Sequence, residues 1–306
     1  MSSSSSTHSS HLENIANAGI IATLSVFGLF SNTAAIVAVL YSPILRNAFG
    51  RLCLSHSFCN LGVLLISTFW LAPNTFRERK LSIEVVDKIM GLINTLLWYV
   101  CIYSHFAISL NRVVALIMPL QAELLNRKKS IWLVLVVWLI GFCHITPFFW
   151  GETCYIHYET SVWMWLFADT TCGNFLSTYI DSYTGFVLLS ATIVLDIISV
   201  IKLKGIQKRP VTTTNSMQRK RHEVERRFLK QTLCQNLLFL YAILSYYYVS
   251  TRLTNHWALF CSTTLPGLLL HAFDGFIIAV FHFHLSYLKS TFDLAQKAIK
   301  VIATKP

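Results

Sequence analysis

Residues 18–41 read AGIIATLSVFGLFSNTAAIVAVLY and contain no charged side chain. A helix needs about 20 apolar residues to cross a hydrocarbon core about 30 Å thick, and backbone polar groups in lipid must bond within their own segment. This stretch meets both conditions. It therefore predicts a helix that spans a membrane.

Six further stretches of similar length and composition follow along the chain. They cover residues 52–71, 89–110, 131–150, 179–201, 232–250 and 257–281. Charged residues make up only 13% of the chain, whereas a soluble domain carries about 25%. The pattern predicts an all-α membrane protein, a seven-transmembrane helix bundle over residues 18–285. We expect residues 1–17 to be disordered and extracellular, and residues 286–306 to form a cytoplasmic tail.

Lys and Arg are distributed unequally between the two sets of predicted loops. Of the 25, 20 lie in the first, third and fifth loops and the tail, and five lie in the second and sixth loops. Because positively charged loops stay in the cytoplasm, the N-terminus is expected outside and the C-terminus inside. The net charge of +11 fits attraction to anionic membrane lipid better than a nucleic-acid partner.

Two of the eight cysteines lie apart from the predicted helices. Cys154 and Cys172 share the outer loop between the fourth and fifth helices, while the other six fall within or at the edge of helices, as small apolar residues do. The outer loop faces an oxidising compartment in the predicted topology. We expect a disulfide between Cys154 and Cys172, which would stabilise the loop by about 3 kcal/mol.

The same loop is rich in aromatic side chains, with Trp163 and Trp165 between the two cysteines. They are either a belt at the membrane interface or a lid over a cavity for a small, partly apolar ligand. The sequence leaves both alternatives open.

The third helix carries a polar stripe formed by Asn94, Cys101, His105 and Arg112. At 100° per residue, these four positions point within about 20° of one direction. Polar groups within a membrane are costly and usually face the bundle interior, where interhelical hydrogen bonding is the alternative to ligand contact. The other expected members of this network are Asn32, His56, Asn60, Asp181, Asp196, Asn236, His271 and Asp274. Our candidate ligand-binding residues are Asn94, Trp98, Cys101, His105, Trp163, Trp165, His271 and Asp274.

Arg112 has two interpretations at the end of the third helix. Its side chain could snorkel to the headgroups, or it could latch onto the sixth helix and couple to its movement. Residues 219–230 favour a cytoplasmic extension of that helix, in which Glu223 and Arg227 are i,i+4 partners. The candidate signalling residues are Asn111, Arg112, Arg226 and Arg227.

Several short motifs carry a family resemblance. They are NRVVALIMP at 111–119, FSNT at 30–33, FGRL at 49–52, WLAP at 70–73, RRFLKQTLCQN at 226–236 and HAFDG at 271–275. Together they resemble the rhodopsin-like seven-helix receptors, and within them the nematode serpentine chemoreceptors of class x. Arg112 matches the arginine of the superfamily's Asp/Glu-Arg-Tyr region, and Asn32 matches its asparagine in the first helix.

The chain also departs from the superfamily's patterns. Asn111 replaces the usual acid before the arginine, the sixth helix lacks Cys-Trp-x-Pro, and residues 274–278 read DGFII where Asn-Pro-x-x-Tyr is usual. No cysteine stands at the top of the third helix, so the usual disulfide from that helix cannot form.

The resemblance implies a chemosensory receptor used in olfaction. Such a receptor binds a small environmental chemical and signals through cytoplasmic loops 2 and 3 to a heterotrimeric G protein, from the plasma membrane or a sensory cilium. A multi-pass enzyme and a small transporter are the alternatives. His282 and His284 lack further ligands at metal-binding spacing, and no nucleophile motif or paired repeats occur. We therefore predict no catalytic residues, no metal and no cofactor.

Overall fold

The structure is a computed structural model that describes residues 11–77, 84–118, 127–207 and 216–282. Within these ranges the chain forms seven long helices, as predicted. They are α1 (His11–Tyr41), α2 (Ala48–Arg77), α3 (Glu84–Ile117), α4 (Arg127–His144), α5 (Thr171–Ile206), α6 (Ser216–Leu244) and α7 (His256–His282). A two-stranded antiparallel hairpin, β1 (Ile156–Glu159) and β2 (Met164–Phe167), lies between α4 and α5.

Five of the described helices are long and apolar enough to cross a membrane: α1, α2, α3, α5 and α7. The apolar part of α4, Ser130–His144, is shorter because the chain leaves the α-helix and makes a tight 3₁₀ turn, Thr146–Phe149, with Pro147 near its start. The predicted span over 131–150 therefore ends early. Charged residues fill the first half of α6, and its apolar half continues through the wider helical turn Ser245–Val249.

The beginning of α1 corrects one sequence-based expectation. Residues 11–17, which we expected to be disordered, are helical. Asn14 and Asn17 are buried there, and Asn14 Oδ1 accepts a hydrogen bond from the Trp163 indole at 2.7 Å. The contact fixes the first turns of α1 against the hairpin. Residues 1–10 and the predicted tail, 286–306, lie outside the described residues.

The central helix of the bundle is α3, which packs against α2, α4, α5 and α6. Large apolar side chains on the outer helix faces are exposed, among them Phe30, Trp132, Val187 and Leu237. A soluble protein would bury such residues, whereas lipid accommodates them. The helix surfaces therefore fit a membrane protein whose polar groups face inward.

The hairpin rests on α3 at Gly91. A Cβ at this position would lie 2.2 Å from the Ile156 carbonyl oxygen, so only glycine permits the approach. Arg112 lies 21 residues further along α3, or about 30 Å at 1.5 Å per residue. We call the two ends of the bundle the hairpin end and the Arg112 end.

Candidate functional site

A cavity of about 130 Å³ lies beneath the hairpin, between α2, α3, α5, α6 and α7. Its wall is mostly apolar and aromatic, with a few polar groups among the lining residues. Pockets for drug-sized ligands measure about 300 to 1,000 Å³. This cavity is therefore suited to a smaller molecule.

The hairpin forms the lid of this cavity through Ile156, Trp165 and Phe167, which line it. Strand pairing places Ile156 opposite Phe167. The lid is docked on the helices because the Tyr246 hydroxyl donates to the Trp165 carbonyl oxygen at 3.1 Å, and the Tyr158 and Thr75 hydroxyls lie 2.9 Å apart. Burial raises the pKa of the Tyr158 phenol, so its hydroxyl stays neutral.

A disulfide joins the two sides of the lid, as predicted. Cys154 precedes β1 and Cys172 lies in the first turn of α5, with their Cα atoms 5.2 Å apart. Thr170 caps this turn by accepting a hydrogen bond from the Gly173 backbone N–H. The hairpin is thus tied covalently to the helix that supplies Asp181 to the cavity wall.

Four of the predicted ligand-binding residues line the cavity: Asn94, Trp98, Trp165 and His271. Three others, Cys101, His105 and Asp274, are buried but do not line it. On α3, Cys101 and His105 lie further than Asn94 and Trp98 from the hairpin end. The structure divides the predicted set into a wall facing the cavity and a polar core outside it.

Trp163, the remaining predicted ligand-binding residue, is not among the residues that line the cavity. Its side chain is fully buried and its backbone adopts a positive φ of 54°. The indole ring packs 4.9 Å from Trp257 and edge-on to His256, and the Trp163 carbonyl oxygen accepts a hydrogen bond from Thr264, which lines the cavity. Trp163 therefore joins the lid to α1 and α7.

Sequence reasoning missed part of the cavity wall. Asp181 was expected only in the interhelical network, and Tyr246 and Tyr247 were not singled out, yet all three line the cavity. The Tyr247 hydroxyl donates to Asp181 Oδ2. A carboxylate near the start of the fifth predicted span was the available signal for Asp181. The tyrosines lie in a run of aromatic residues that has no distinctive spacing.

The polar core links three helices through one carboxylate. Asp274 Oδ2 lies 2.7 Å from His56 Nε2 and 3.4 Å from His105 Nε2. Two imidazoles and a carboxylate, whose ligand atoms lie within 4.8 Å of one another, are residue types that could hold a metal ion. Because the closest pair is already within hydrogen-bonding distance, we interpret this cluster as a network that joins α2, α3 and α7.

A second network connects the polar core to the cavity. His271 lies in the cavity wall, with its Nδ1 2.8 Å from Asn60 Oδ1, and the Cys101 thiol also faces that oxygen at 3.4 Å.

Further along α7, His282 Nε2 lies 2.9 Å from Gln231 Oε1 on α6. His284, the other histidine considered for a metal, lies outside the described residues.

At the opposite end of the bundle, Arg112 is buried and latched to α6. Its Nη1 donates to Glu225 Oε2 at 2.8 Å. The guanidinium also lies against two aromatic rings that pack on each other, 3.9 Å from the Phe49 centroid and 4.8 Å from the Phe228 centroid. This geometry fits the latch interpretation, since a snorkelling side chain would extend away from the bundle.

The latch differs in detail from the sequence-based expectation. Its acid is Glu225, which we had not singled out, although α6 does extend through residues 219–230 as predicted. Asn111 is partly buried beside Arg112, Arg226 is exposed and Arg227 is partly buried. Several acidic and basic residues crowd this segment, so spacing alone could not show which one reaches α3.

Comparisons with known proteins agree with this architecture. Residues 23–282 match the family model described as serpentine type 7TM GPCR chemoreceptor Srx. Two relatives from Caenorhabditis elegans are serpentine receptor class X 45, 26% identical over 89% of this chain and 80% of its own length, and serpentine receptor class X-43, 25% identical over 87% and 83%.

Squid rhodopsin shares the fold. Its crystal structure superposes with a TM-score of 0.70 at 15% sequence identity, over 90% of this chain and 78% of that one. The seven-transmembrane fold predicted from sequence is confirmed, and the relatives are receptors, not enzymes. The chain belongs to the Srx family of serpentine, seven-transmembrane G-protein-coupled chemoreceptors.

Proposed function

We propose that this receptor binds a small environmental chemical in the cavity at the hairpin end and signals to a heterotrimeric G protein through cytoplasmic loops 2 and 3. One observation carries the proposal. The cavity and the Arg112–Glu225 ion pair lie at opposite ends of the same two helices, α3 and α6. A change at the cavity can therefore reach the latch through rigid elements.

The proposed orientation places the hairpin end outside the cell. Arg51, Lys202, Lys204 and Arg226 lie towards the Arg112 end, and the disulfide lies at the hairpin end. Positively charged loops favour the cytoplasm and disulfides favour an oxidising compartment. The N-terminus is then outside, anionic lipid contacts the basic face, and the receptor lies in the plasma membrane, including that of a sensory cilium.

The signal is proposed to pass along α6 because this helix contacts both sites. Ala242 and Ile243 line the cavity at one end, and Glu225 holds Arg112 at the other. The helix widens just beyond its apolar half, at Ser245–Val249, and this turn contributes Tyr246 and Tyr247 to the cavity. Wide turns of this kind often mark functional sites in helices.

The ion pair is expected to hold the inactive state. Asn111 stands where the superfamily carries an acid, and among the described residues Glu225 is the carboxylate within 4.0 Å of Arg112. Removing one partner of a buried charge pair leaves the other charge uncompensated. When α6 moves away from α3, Arg112 loses Glu225 and needs another partner. A docking G protein can supply that partner.

Glu225→Gln tests this coupling without any ligand. The amide keeps the shape of the side chain but removes its charge, so α6 should move away more readily. We expect the purified variant in lipid nanodiscs to raise basal nucleotide exchange on its Gα partner several-fold over the unchanged receptor. The measurement is the rate of guanine-nucleotide binding across one representative of each Gα class.

The matched control is Glu223→Gln, an equal change of charge at an exposed position of the same helix. This variant should leave basal exchange near that of the unchanged receptor. Equal rates for the two variants would contradict the latch. Failure of every receptor form to act on any Gα class would contradict coupling itself.

A further inference from the structure

We infer that the ligand of this cavity is a small organic amine whose ammonium group pairs with Asp181. The inference rests on the proposed function, because it names the chemical class of the molecule that the same cavity binds. It starts from the composition of the cavity wall, in which the Asp181 carboxylate lies among mostly apolar and aromatic residues.

Asp181 is an acid without an internal cation. It is 7% exposed and lines the cavity. Within the described part of the chain, no Lys, Arg or His nitrogen lies within 4.0 Å of its carboxylate, whereas Asp274 has two histidines and Glu225 has Arg112. An uncompensated charge in a low-dielectric interior is costly, so a cation from outside would stabilise it.

The surroundings of Asp181 stabilise negative charge without cancelling it. The Tyr247 hydroxyl donates a hydrogen bond to Oδ2. Oδ1 is buried and makes no hydrogen bond of good geometry with the described residues. With one neutral donor at Oδ2 and an unfilled acceptor at Oδ1, the carboxylate can still pair with a charged N–H donor.

The rest of the wall selects an organic cation. Trp98, Trp165 and Tyr246 line the same cavity as Asp181, and aromatic faces attract ammonium groups. Leu268 and Ile243 add surface for a hydrocarbon portion. A bare metal cation would require several oxygen ligands, whereas this wall has one carboxylate. The small volume favours short alkyl or arylalkyl amines over drug-sized ones.

The test measures direct binding, so that it does not depend on G-protein coupling. The probes are phenethylamine, isoamylamine and cyclohexylamine, each paired with the alcohol of the same carbon skeleton. Binding to purified receptor in nanodiscs is followed by the melting temperature and by quenching of tryptophan fluorescence. We expect at least one amine to bind about tenfold or more tightly than its alcohol, and Asp181→Asn to remove that preference.

Two further variants separate charge recognition from folding. Asp196→Asn changes the other buried acid of α5, which faces Asn236 and does not line the cavity, so the amine preference should persist. Asp181→Glu keeps the negative charge and should retain part of the amine preference. Asparagine still accepts the Tyr247 hydrogen bond, so Asp181→Asn is expected to fold, and its melting temperature without ligand checks this.

Each result decides the inference. Amine binding that Asp181→Asn abolishes and Asp196→Asn preserves supports it. Equal binding of amines and alcohols, equal loss in both variants, or no binding of any amine overturns it. None of these results alters the basal nucleotide exchange of Glu225→Gln, so the receptor proposal can stand when the amine inference fails.

Discussion

Gly275→Ala is expected to destabilise the receptor by at least about 2 kcal/mol, since overpacking costs 1 to 3 kcal/mol where side chains can give way. A Cβ on Gly275 would lie 2.5 Å from Asn32 Cγ and 2.7 Å from Asn32 Cα. The second atom belongs to the backbone, so α1 would have to move away from α7. The melting temperature of the purified variant measures the effect.

The hydrogen bonds between the two helices would be lost with that movement. Asn32 Nδ2 donates to the His271 carbonyl oxygen at 2.9 Å, and Ser31 Oγ donates to the Ala272 carbonyl oxygen at 2.7 Å. Gly267→Ala is the control on the same helix, because a Cβ there meets nothing within 4 Å. Equal melting temperatures for the two variants would show that the close approach of α1 and α7 does not limit stability.

Asp274→Leu is expected to have an effect of similar size by a different cause. Leucine fills the space but removes the hydrogen-bonding partner of His56 and the carboxylate 3.4 Å from His105, both buried. Leaving the buried His56 imidazole without its partner costs about 1 to 3 kcal/mol, well above the average of about 0.6 kcal/mol for hydrogen bonds between membrane helices. The yield of folded receptor and its melting temperature measure the loss.

Asp274→Asn is the graded comparison for this site. The amide retains one oxygen acceptor for His56, so this variant should lie between the unchanged receptor and Asp274→Leu. If leucine is tolerated as well as asparagine, the network contributes little, and the polar core is then retained for a reason other than stability.

The architecture could be predicted from the sequence because the membrane imposes a length and a polarity on every span. Seven apolar stretches predicted seven helices, and the loop between the fourth and fifth predicted the Cys154–Cys172 disulfide. Boundaries were less predictable. The first helix begins before the apolar stretch because the packing of Asn14 against Trp163 extends it, and this is a tertiary contact.

The candidate site could be predicted only in part. Helical periodicity placed Asn94 and His105 on one face of α3, where Asn94 lines the cavity and His105 is buried. The position of a residue along the axis of α3 decides whether it reaches the cavity. That position counts from the hairpin end, and the sequence does not show where the hairpin rests. The pairing of Arg112 with Glu225 required the relative positions of α3 and α6, which no spacing within one helix contains.

The central claim is that the cavity controls the Arg112–Glu225 contact at the far end of α6. A distance measurement between spin labels tests it most directly. Labels attached at Tyr41→Cys on α1 and Arg226→Cys on α6, both exposed positions, report movement of α6 once the exposed Cys143, Cys234 and Cys261 are replaced by serine.

The distribution is compared with and without phenethylamine, at a concentration that raises the melting temperature of the receptor. We expect the distance to lengthen by several ångströms when the amine binds, and Glu225→Gln to lengthen it without the amine. Identical distributions for the free and the amine-bound receptor would contradict it.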